Sequence, residues 1–274
     1  MRIDFHLHSN ASDGAHPPMA LAEAARSARL QAWALTDHDT LAGWRMIAGA
    51  PGLVPGVEAS CSWNGREVHI VALGFDPAHP DLTDLLAGNR ALRLQRLACL
   101  LDRLPPGIRK DTTVADVAAL AANGPDGSLG RNHLAQTLVR SGAVSGSHEA
   151  FDRYLADEHL VDQGLPTFPG PEATAATIHA AGGVAILAHP GCYGDLPTIQ
   201  ALMACGLDGL ETSHPNLPSP LAQGLRRVAD RQGWLHSCGT DLHVLGHRRP
   251  GGCALGADRM RPLLQRLRVG IGAP

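Results

Sequence analysis

Short apolar runs alternate with amphipathic stretches along most of the chain. The runs have the length of strands, and the stretches between them have the period of helices. Repeated alternation of this kind predicts a mostly parallel α/β sheet or barrel. The predicted strands are Arg2–His6, Ala32–Thr36, Leu53–Glu58, Val184–Ala188, Leu207–Glu211 and Trp234–Ser237. The predicted helices are Pro17–Leu30, Leu41–Ala50, Asp81–Leu104, Pro171–Ala181, Leu196–Cys205, Ser219–Arg231 and Arg259–Arg268.

A hairpin is predicted within the first third of the chain. The dipeptide Asn64-Gly65 lies between two apolar runs, Ser60–Trp63 and Arg66–Leu73. Asn-Gly between such runs is the strongest short hairpin signal, because both residues tolerate the positive φ of the favoured turn. We therefore expect one antiparallel pair inside the otherwise parallel arrangement.

The pattern changes at residue 105. Two prolines and a glycine occur there, and no strong strand is predicted before Val184. We expect 105–166 to be a small helical insert that contributes to substrate binding, and 1–104 with 167–274 to form the main domain. The helices predicted inside the insert are Thr113–Ala122, Arg131–Ser141 and Ser147–Asp157.

The composition narrows the class of protein. The 274 residues carry a net charge of −3 and only 4% aromatics, which disfavours binding of long nucleic acid. No run approaches the roughly 20 apolar residues of a membrane span. The six cysteines show no CxxC spacing, which is typical of a reduced, cytoplasmic protein. Histidine is abundant, with 15 residues, and this suggests a metal site.

Histidine and carboxylate residues recur where predicted strands end. At the carboxyl ends of parallel strands they would converge on one rim, where α/β folds bind ligands. Imidazole and carboxylate without thiolate suit Mn, Fe or Zn in a hydrolytic site. Taken singly, each residue has an ordinary explanation as a surface side chain or, for Asp39, a helix cap. The motifs are His6-Leu7-His8, Asp37-His38-Asp39, Glu58, His69, His189-Pro190 and Gly239-Thr240-Asp241-Leu242-His243.

These motifs, together with the run from Ser9 to Gly14, resemble in order and context those of the PHP (polymerase and histidinol phosphatase) family. The resemblance covers residues 1 to about 250. It implies a distorted (β/α)7 barrel, with the helical insert added, and up to three divalent metal ions, with manganese first and iron or zinc as alternatives. Asp37 and Asp39 are then expected to orient imidazoles or to cap helices.

The resemblance also implies a ligand set at three pockets. Glu58 would bridge the first two pockets, and every ligand position of the family is filled in this sequence. The first pocket would contain His6, His8, Glu58 and Asp241, the second Glu58, His69 and His189, and the third Asp13, His38 and His243.

A motif in the insert indicates the substrate. Arg131-Asn132-His133 resembles a motif of small nucleotide phosphoesterases in this family, and an arginine at a helix start is suited to phosphate. Ser213 and His214 are further candidates at the rim, His214 as a phosphate contact or an acid. The implied activity is removal of the 3′-phosphate from nucleoside 3′,5′-bisphosphates, with His6, His8, Glu58 and Asp241 acting through a metal-activated hydroxide.

The sequence is also compatible with four different functions. A 5′-3′ exoribonuclease on short 5′-phosphorylated RNA would use the same pocket, and a histidinol phosphatase would use the same barrel. An amidohydrolase with a carbamylated lysine is disfavoured, because the single lysine, Lys110, lies in the insert. A non-catalytic metal or nucleotide sensor is disfavoured by the complete ligand set.

Overall fold

Eight strands and eleven α-helices make up the computed structural model, which describes residues 2–120, 126–156, 159 and 164–269. The strands are β1 (Ile3–Leu7), β2 (Ala32–Leu35), β3 (Leu53–Val54), β4 (Gly56–Trp63), β5 (Arg66–Leu73), β6 (Val184–Leu187), β7 (Gly209–Ser213) and β8 (Leu235–Cys238). The helices are α1 (Pro18–Ser27), α2 (Ala42–Met46), α3 (Pro80–Arg103), α4 (Pro106–Arg109), α5 (Val114–Ala118), α6 (Arg131–Arg140), α7 (Ser147–Ala150), α8 (Pro171–Ala180), α9 (Leu196–Met203), α10 (Ser219–Gln232) and α11 (Ala257–Arg266).

The strands form two sheets that are linked to each other. β1, β2 and β3 make a parallel sheet, and β4 to β8 make a mixed sheet in chain order. Single parallel bridges join Leu7 to Leu242, which follows β8, and His38, which follows β2, to Glu58 in β4. The predicted mixed α/β class is confirmed. The seven-fold barrel stays a prediction.

The predicted strand Leu53–Glu58 is wrong in its bounds, because the chain makes two strands there. Pro55 separates β3 from β4, and proline has no N–H to donate to a sheet. β3 pairs with β2, whereas β4 pairs with β5. Gly56 allows a close crossing at this point, since a Cβ on it would lie 2.8 Å from the Cβ of Ala34.

The predicted hairpin is confirmed. β4 and β5 pair in antiparallel register as far as Trp63 opposite Arg66. Asn64 and Gly65 form the loop with φ of 48° and 75°, and this positive pair matches the favoured hairpin turn. β5 is also antiparallel to β6, whereas β6, β7 and β8 run parallel. One strand of the mixed sheet therefore runs against its neighbours.

The helices of the insert region pack on a core of their own. Buried residues from the end of α3 through α6 to Leu165 form one apolar cluster, separate from those beneath the sheets. The predicted helix Ser147–Asp157 is interrupted, since a π-helical turn at Phe151–Leu155 follows α7. Its predicted end at Asp157, and that of another helix at Ala122, lie outside the described residues. The division into main domain and insert stays a prediction.

Two of the remaining helices, α8 and α10, cover the mixed sheet. α8 contacts β4, β5 and β6, while α10 contacts β7 and β8. The apolar side chains beneath them are almost fully buried, including Ile70, Ile178 and Leu225. No helix in the described part of the chain is both long and apolar enough to cross a bilayer.

Candidate metal centre

β1 brings two histidines to one end of its sheet. His6 lies in β1 and His8 directly follows it, and both side chains are fully buried. Residues two apart on a strand face the same way, and the two ring centroids are 5.0 Å apart. Asp241, which follows β8, places Oδ1 3.4 Å from Nε2 of His8 and 3.7 Å from Nε2 of His6. The ends of β1 and β8 thus meet at one group of ligand atoms.

Glu58 is the centre of this group. It lies in β4 and is 1% exposed. One of its oxygens faces three imidazoles, and the other faces two more, so a single carboxylate links histidines from five places in the chain. Oε2 lies 3.2 Å from nitrogens of His6, His8 and His38, and Oε1 lies 3.1 Å from His69 and 2.9 Å from His189.

Asp13 completes the cluster on the side away from β4. Its Oδ1 is 3.2 Å from Nε2 of His243, and its Oδ2 is 3.7 Å from Nε2 of His38. The loop that leads to Asp13 is held by Asp37, which accepts hydrogen bonds from the N–H and the hydroxyl of Ser9, both at 2.7 Å. Asp37 therefore orients this loop, and the hydrogen bond to an imidazole expected for it is not formed.

The charges of the cluster shift its pKa values strongly. Burial acts to raise the pKa of Glu58, but the surrounding histidines outweigh it and hold the pKa well below its usual value. Burial acts in the opposite direction on histidines, yet nearby carboxylates raise the pKa of His69 and His243 to about 9 and help to raise that of His189 to about 10. His38 is the exception, because its burial prevails and lowers its pKa. Cations, either protons or metal ions, are therefore strongly favoured here.

Buried polar atoms without partners show that the cluster fits metal ions. Six buried atoms at this centre have no hydrogen-bond partner among the described residues, a costly state unless they bind something else. Imidazole and carboxylate are the donors that Mn, Fe and Zn accept. Ligand atoms of four residue groups lie within 4.8 Å of one another, and three of these groups consist of residues predicted as ligands. The unpartnered atoms are Nε2 of His6, both ring nitrogens of His8, Oδ1 of Asp13, Nδ1 of His38 and Nε2 of His214.

Three residues of the site, Glu211, Glu67 and Arg93, were not predicted. Glu211 ends a predicted strand and accepts a 2.9 Å hydrogen bond from Nδ1 of His6. Glu67 lies two residues before His69 on the same strand face and is 3.0 Å from its Nε2. Arg93, buried on α3, pairs with Asp39. The positions of the two glutamates, at a strand end and two residues from a histidine, were usable signals, whereas nothing in the helix pattern marked Arg93.

The insert brings its motif to the edge of the metal centre. Nδ2 of Asn132 donates a 2.6 Å hydrogen bond to Oδ2 of Asp13. The Arg131 guanidinium donates to the carbonyl of Leu155 at 3.0 Å and lies 3.9 Å from Glu67. Both residues line the same cavity as the metal centre.

His133 does not line this cavity. Its Nδ1 accepts a hydrogen bond from the N–H of Gly130 at 3.2 Å, which caps the start of α6. The side chain is also buried, with 5% of the residue exposed. One ring nitrogen of His133 is thus engaged by its own helix, and the phosphate contact expected of this residue stays a prediction.

Ser213 and His214 also lie outside the cavity of the metal centre. They line a separate space of about 180 Å³ beside α10. The His214 side chain has no exposed area, its Nδ1 accepts from the N–H of Asn216, and its Nε2 faces Asp241 at 3.6 Å. The structure thus places both residues beside the metal centre, and the substrate contacts expected of them stay a prediction.

A cavity of about 490 Å³ opens above the metal centre. This volume is in the range of about 300–1,000 Å³ that is typical of ligand pockets. Its lining includes the histidine and carboxylate cluster, here called the metal end, and Arg93, Arg131 and Glu67, here called the arginine end. Phe151, from the π-helical turn, lines it as well. The cavity therefore joins an anionic, cation-binding end to a wall that carries guanidinium groups.

A mixed α/β fold with a buried imidazole and carboxylate cluster is typical of a metal-dependent hydrolase. The PHP domain family matches residues 4–64. A 5′-3′ exoribonuclease of Haemophilus influenzae is 37% identical over 88% of this chain and 90% of its own length. A 3′,5′-nucleoside bisphosphate phosphatase of Chromobacterium violaceum is 34% identical over 89% of this chain and 88% of its own. The chain belongs to the PHP family.

The fold supports the same assignment. A solved structure from Bifidobacterium adolescentis, assigned to the metal-dependent phosphoesterases, has a TM-score of 0.80 and 30% identity, with 96% of each chain covered. The protein is therefore a phosphoric ester hydrolase with a centre for divalent metal ions.

Proposed function

We propose that the protein removes the 3′-phosphate from nucleoside 3′,5′-bisphosphates, such as adenosine 3′,5′-bisphosphate, with up to three manganese ions. The observation that carries the proposal is the cavity with two different ends, one able to bind metal ions and one bearing Arg93 and Arg131. A bisphosphate has two anionic groups separated by a ribose, so it can occupy both ends at once. The 34% identity to a protein of this named activity supports it.

The metal ligands follow the pockets inferred from the sequence. The distances around Glu58 and Asp13 support this set. Bound divalent ions would supply a water of lowered pKa and would neutralise charge on the phosphoryl group. The proposed ligands are His6, His8, Glu58 and Asp241 for one ion, Glu58, His69 and His189 for a second, and Asp13, His38 and His243 for a third.

The protein side chains bind and orient the substrate. Arg131 contributes a planar guanidinium at the far end of the cavity, where it contacts the 5′-phosphate. Glu67 and the Leu155 carbonyl hold this guanidinium in place. Asn132 fixes Asp13 and so couples the insert to the metal centre. His133 and Ser213 are assigned no substrate contact, and His214 no role as an acid.

The test compares substrates with and without the 5′-phosphate. Manganese-loaded protein should release phosphate from adenosine 3′,5′-bisphosphate and leave AMP. Arg131→Ala should raise KM for the bisphosphate about tenfold or more, since a hydrogen bond to a charged group contributes about 1.5–3 kcal/mol. It should leave the KM for adenosine 3′-monophosphate unchanged. Release of the 5′-phosphate, or an equal effect on both substrates, contradicts the proposal.

Arg153→Ala is the matched control. Arg153 is another arginine of the same region, with 60% of its side chain exposed, and it pairs with Glu149. Arg153 does not line the cavity. Its loss should leave both KM values unchanged.

A second candidate function is 5′-3′ exoribonuclease activity on short RNA. The 37% identity to a protein of that name favours it. The same two ends would bind a 5′-phosphate and the first phosphodiester. A 5′-phosphorylated dinucleotide assayed beside the bisphosphate separates the two, and a higher kcat/KM for the dinucleotide makes the exoribonuclease the main activity.

Amidohydrolase and histidinol phosphatase activities have less support. Lys110 donates to the carbonyl of Ser141 in the exposed part of the insert, so it cannot bridge metals at this centre. An amidohydrolase mechanism with a carbamylated lysine therefore has no suitable residue. No contact of the described residues points to histidinol phosphate.

A further inference from the structure

One buried carboxylate contacts two of the proposed metal ligands without belonging to the ligand set. Glu211 lies in β7 and is 1% exposed. Its Oε1 is 2.9 Å from Nδ1 of His6, and its Oε2 accepts the backbone N–H of His189 at 2.6 Å. His6 belongs to the first proposed pocket and His189 to the second. A single side chain therefore contacts one proposed ligand of each pocket.

The first contact fixes which nitrogen of His6 faces the centre. A carboxylate accepts hydrogen bonds, so Nδ1 of His6 carries a proton and Nε2 is the nitrogen that is left for a metal ion. That Nε2 is one of the buried atoms without a hydrogen-bond partner, and it faces Glu58 at 3.2 Å. Glu211 thus holds His6 in the tautomer and orientation that a metal ligand needs.

The second contact holds an unusual backbone conformation. His189 has φ 29° and ψ 57°, in the left-handed region that residues other than glycine rarely adopt. The N–H that donates to Glu211 belongs to this residue. In this conformation Nε2 of His189 lies 2.9 Å from Oε1 of Glu58. The hydrogen bond therefore stabilises a strained turn that delivers an imidazole to the second pocket.

The chain leaves room for this arrangement at one position. A Cβ on Gly239 would lie 2.2 Å from the Cβ of His6 and 2.5 Å from Oε1 of Glu211. Both distances are below any real contact of a Cβ, so only glycine allows His6 and Glu211 to approach here. Gly239 begins the motif that contains Asp241 and His243. Because it has no side chain, it allows the contact between His6 and Glu211.

We propose that Glu211 is a positioning residue that orients ligands of two metal pockets at once, His6 through its ring and His189 through its backbone. The proposal rests on the metal ligands named under the proposed function and is independent of the substrate. Oε1 of Glu211 faces the Nδ1 of His6, and Oε2 accepts from a backbone amide, which cannot bind a metal, at a distance well below the 4.0 Å that separates it from Nε2 of His214. This separates Glu211 from Glu58, whose oxygens face only imidazoles of the cluster.

Metal binding to the metal-free protein tests the proposal. Glu211→Gln keeps the shape, but its amide has one oxygen for two N–H donors. Either one contact fails, or the amide N–H donates to Nδ1 of His6 and the proton of His6 moves to Nε2, which blocks metal binding there. Cobalt(II) is titrated by calorimetry, and the visible absorption of the bound ion is recorded. We expect the cobalt affinity to fall 10- to 100-fold with a changed spectrum, and the number of ions bound at saturation to stay the same.

Asp208→Asn is the matched control. Asp208 precedes the same strand, and it likewise accepts from a histidine ring, His179 at 2.7 Å, and from a backbone N–H, that of Ala185 at 2.8 Å. It contacts none of the proposed ligands. This variant should lose thermal stability in the metal-free state and keep the cobalt affinity and spectrum of the unchanged protein.

The outcomes are distinct. Cobalt affinity and spectrum unchanged in Glu211→Gln overturn the proposal, as does an affinity loss equal to that of Asp208→Asn. Loss of a whole bound ion, with the others bound normally, shows that Glu211 is a ligand and also overturns it. If Glu211→Gln does not fold, Glu211→Asp, which shortens the reach to both donors, is held to the same criteria. Failure of the unchanged protein to bind cobalt refutes the ligand set instead.

Discussion

Removing the charge of Asp39 should destabilise the protein strongly, although Asp39 is not a proposed ligand. Asp39 is fully buried next to His38, and its carboxylate accepts from the N–H and hydroxyl of Ser60, from Asn89, and from the Arg93 guanidinium. These contacts fasten α3 to β4 beside the metal centre. Asp39→Asn keeps the size of the side chain but leaves the charge of Arg93, 8% exposed, without its closest counter-ion.

The expected loss follows from this geometry. Breaking a buried ion pair on one side costs about 3–5 kcal/mol. Glu67 lies 4.0 Å from the Arg93 guanidinium and still compensates part of its charge. We therefore expect the lower end, about 3 kcal/mol, a large share of the 5–15 kcal/mol by which proteins of this kind are stable.

The assay is equilibrium urea unfolding of the metal-free protein, followed by far-UV circular dichroism. Glu23→Gln, which breaks an exposed pair with Arg26, is the control and should change little. Adding Arg93→Met to Asp39→Asn should restore part of the stability, because it removes the uncompensated charge. A loss below about 1 kcal/mol in Asp39→Asn, or no recovery in the double variant, refutes the reasoning.

Three further results are expected. The metal-free protein should lose thermal stability as pH rises from about 7 to 10, because folding raises the pKa values of His69 and His189 from 6.5 to about 9 and about 10: the stabilisation is complete below 6.5 and is lost as the unfolded and then the folded imidazoles release their protons; a flat profile contradicts the proposed charge balance. Glu58→Gln should bind fewer metal ions and flatten this profile, as measured by metal analysis and calorimetry; unchanged metal content refutes its bridging role. Gly239→Ala should lower the free energy of unfolding by about 1–3 kcal/mol and weaken metal binding, since its Cβ would lie 2.2 Å from the Cβ of His6. If the variant unfolds and binds cobalt as the unchanged protein does, the clash is ruled out.

Much of the site could be predicted because its residues follow strand ends. A strand end is visible in sequence as the point where an apolar run stops, and His6 and His189 occur at or near such points, whereas Glu58, which the sequence placed at a strand end, lies near the start of β4. Glu211 ends a run in the same way and could have been chosen by the same rule. The sequence does not specify whether such a residue faces the metal centre or contacts a ligand from the other side. A metal ligand and a residue that orients a ligand therefore have the same pattern in the sequence.

Features with a local signal in the sequence were predictable, whereas those that depend on long-range packing were not. The hairpin turn at Asn64-Gly65 was predictable from its chemistry, but the break at Pro55 between two strands became clear only from their different partners. The His133 motif is compatible with a phosphate contact or with a helix cap, and the structure shows the cap. The π-helical turn at Phe151–Leu155 has the same side-chain pattern as the α-helix expected there.

The antiparallel hairpin explains how the metal centre and the arginine wall come to share one cavity. Residues paired directly across β4 and β5 lie on one face, and here Ser60 pairs with His69. Glu58, two residues from Ser60, and Glu67, two from His69, therefore lie on this face too. Glu58 and His69 face the metal centre, whereas Ser60 and Glu67 bind the guanidinium groups of α3. With all strands parallel, His69 would not lie beside Glu58 in this register. The departure from the regular strand–helix pattern is thus what joins the two ends of the site.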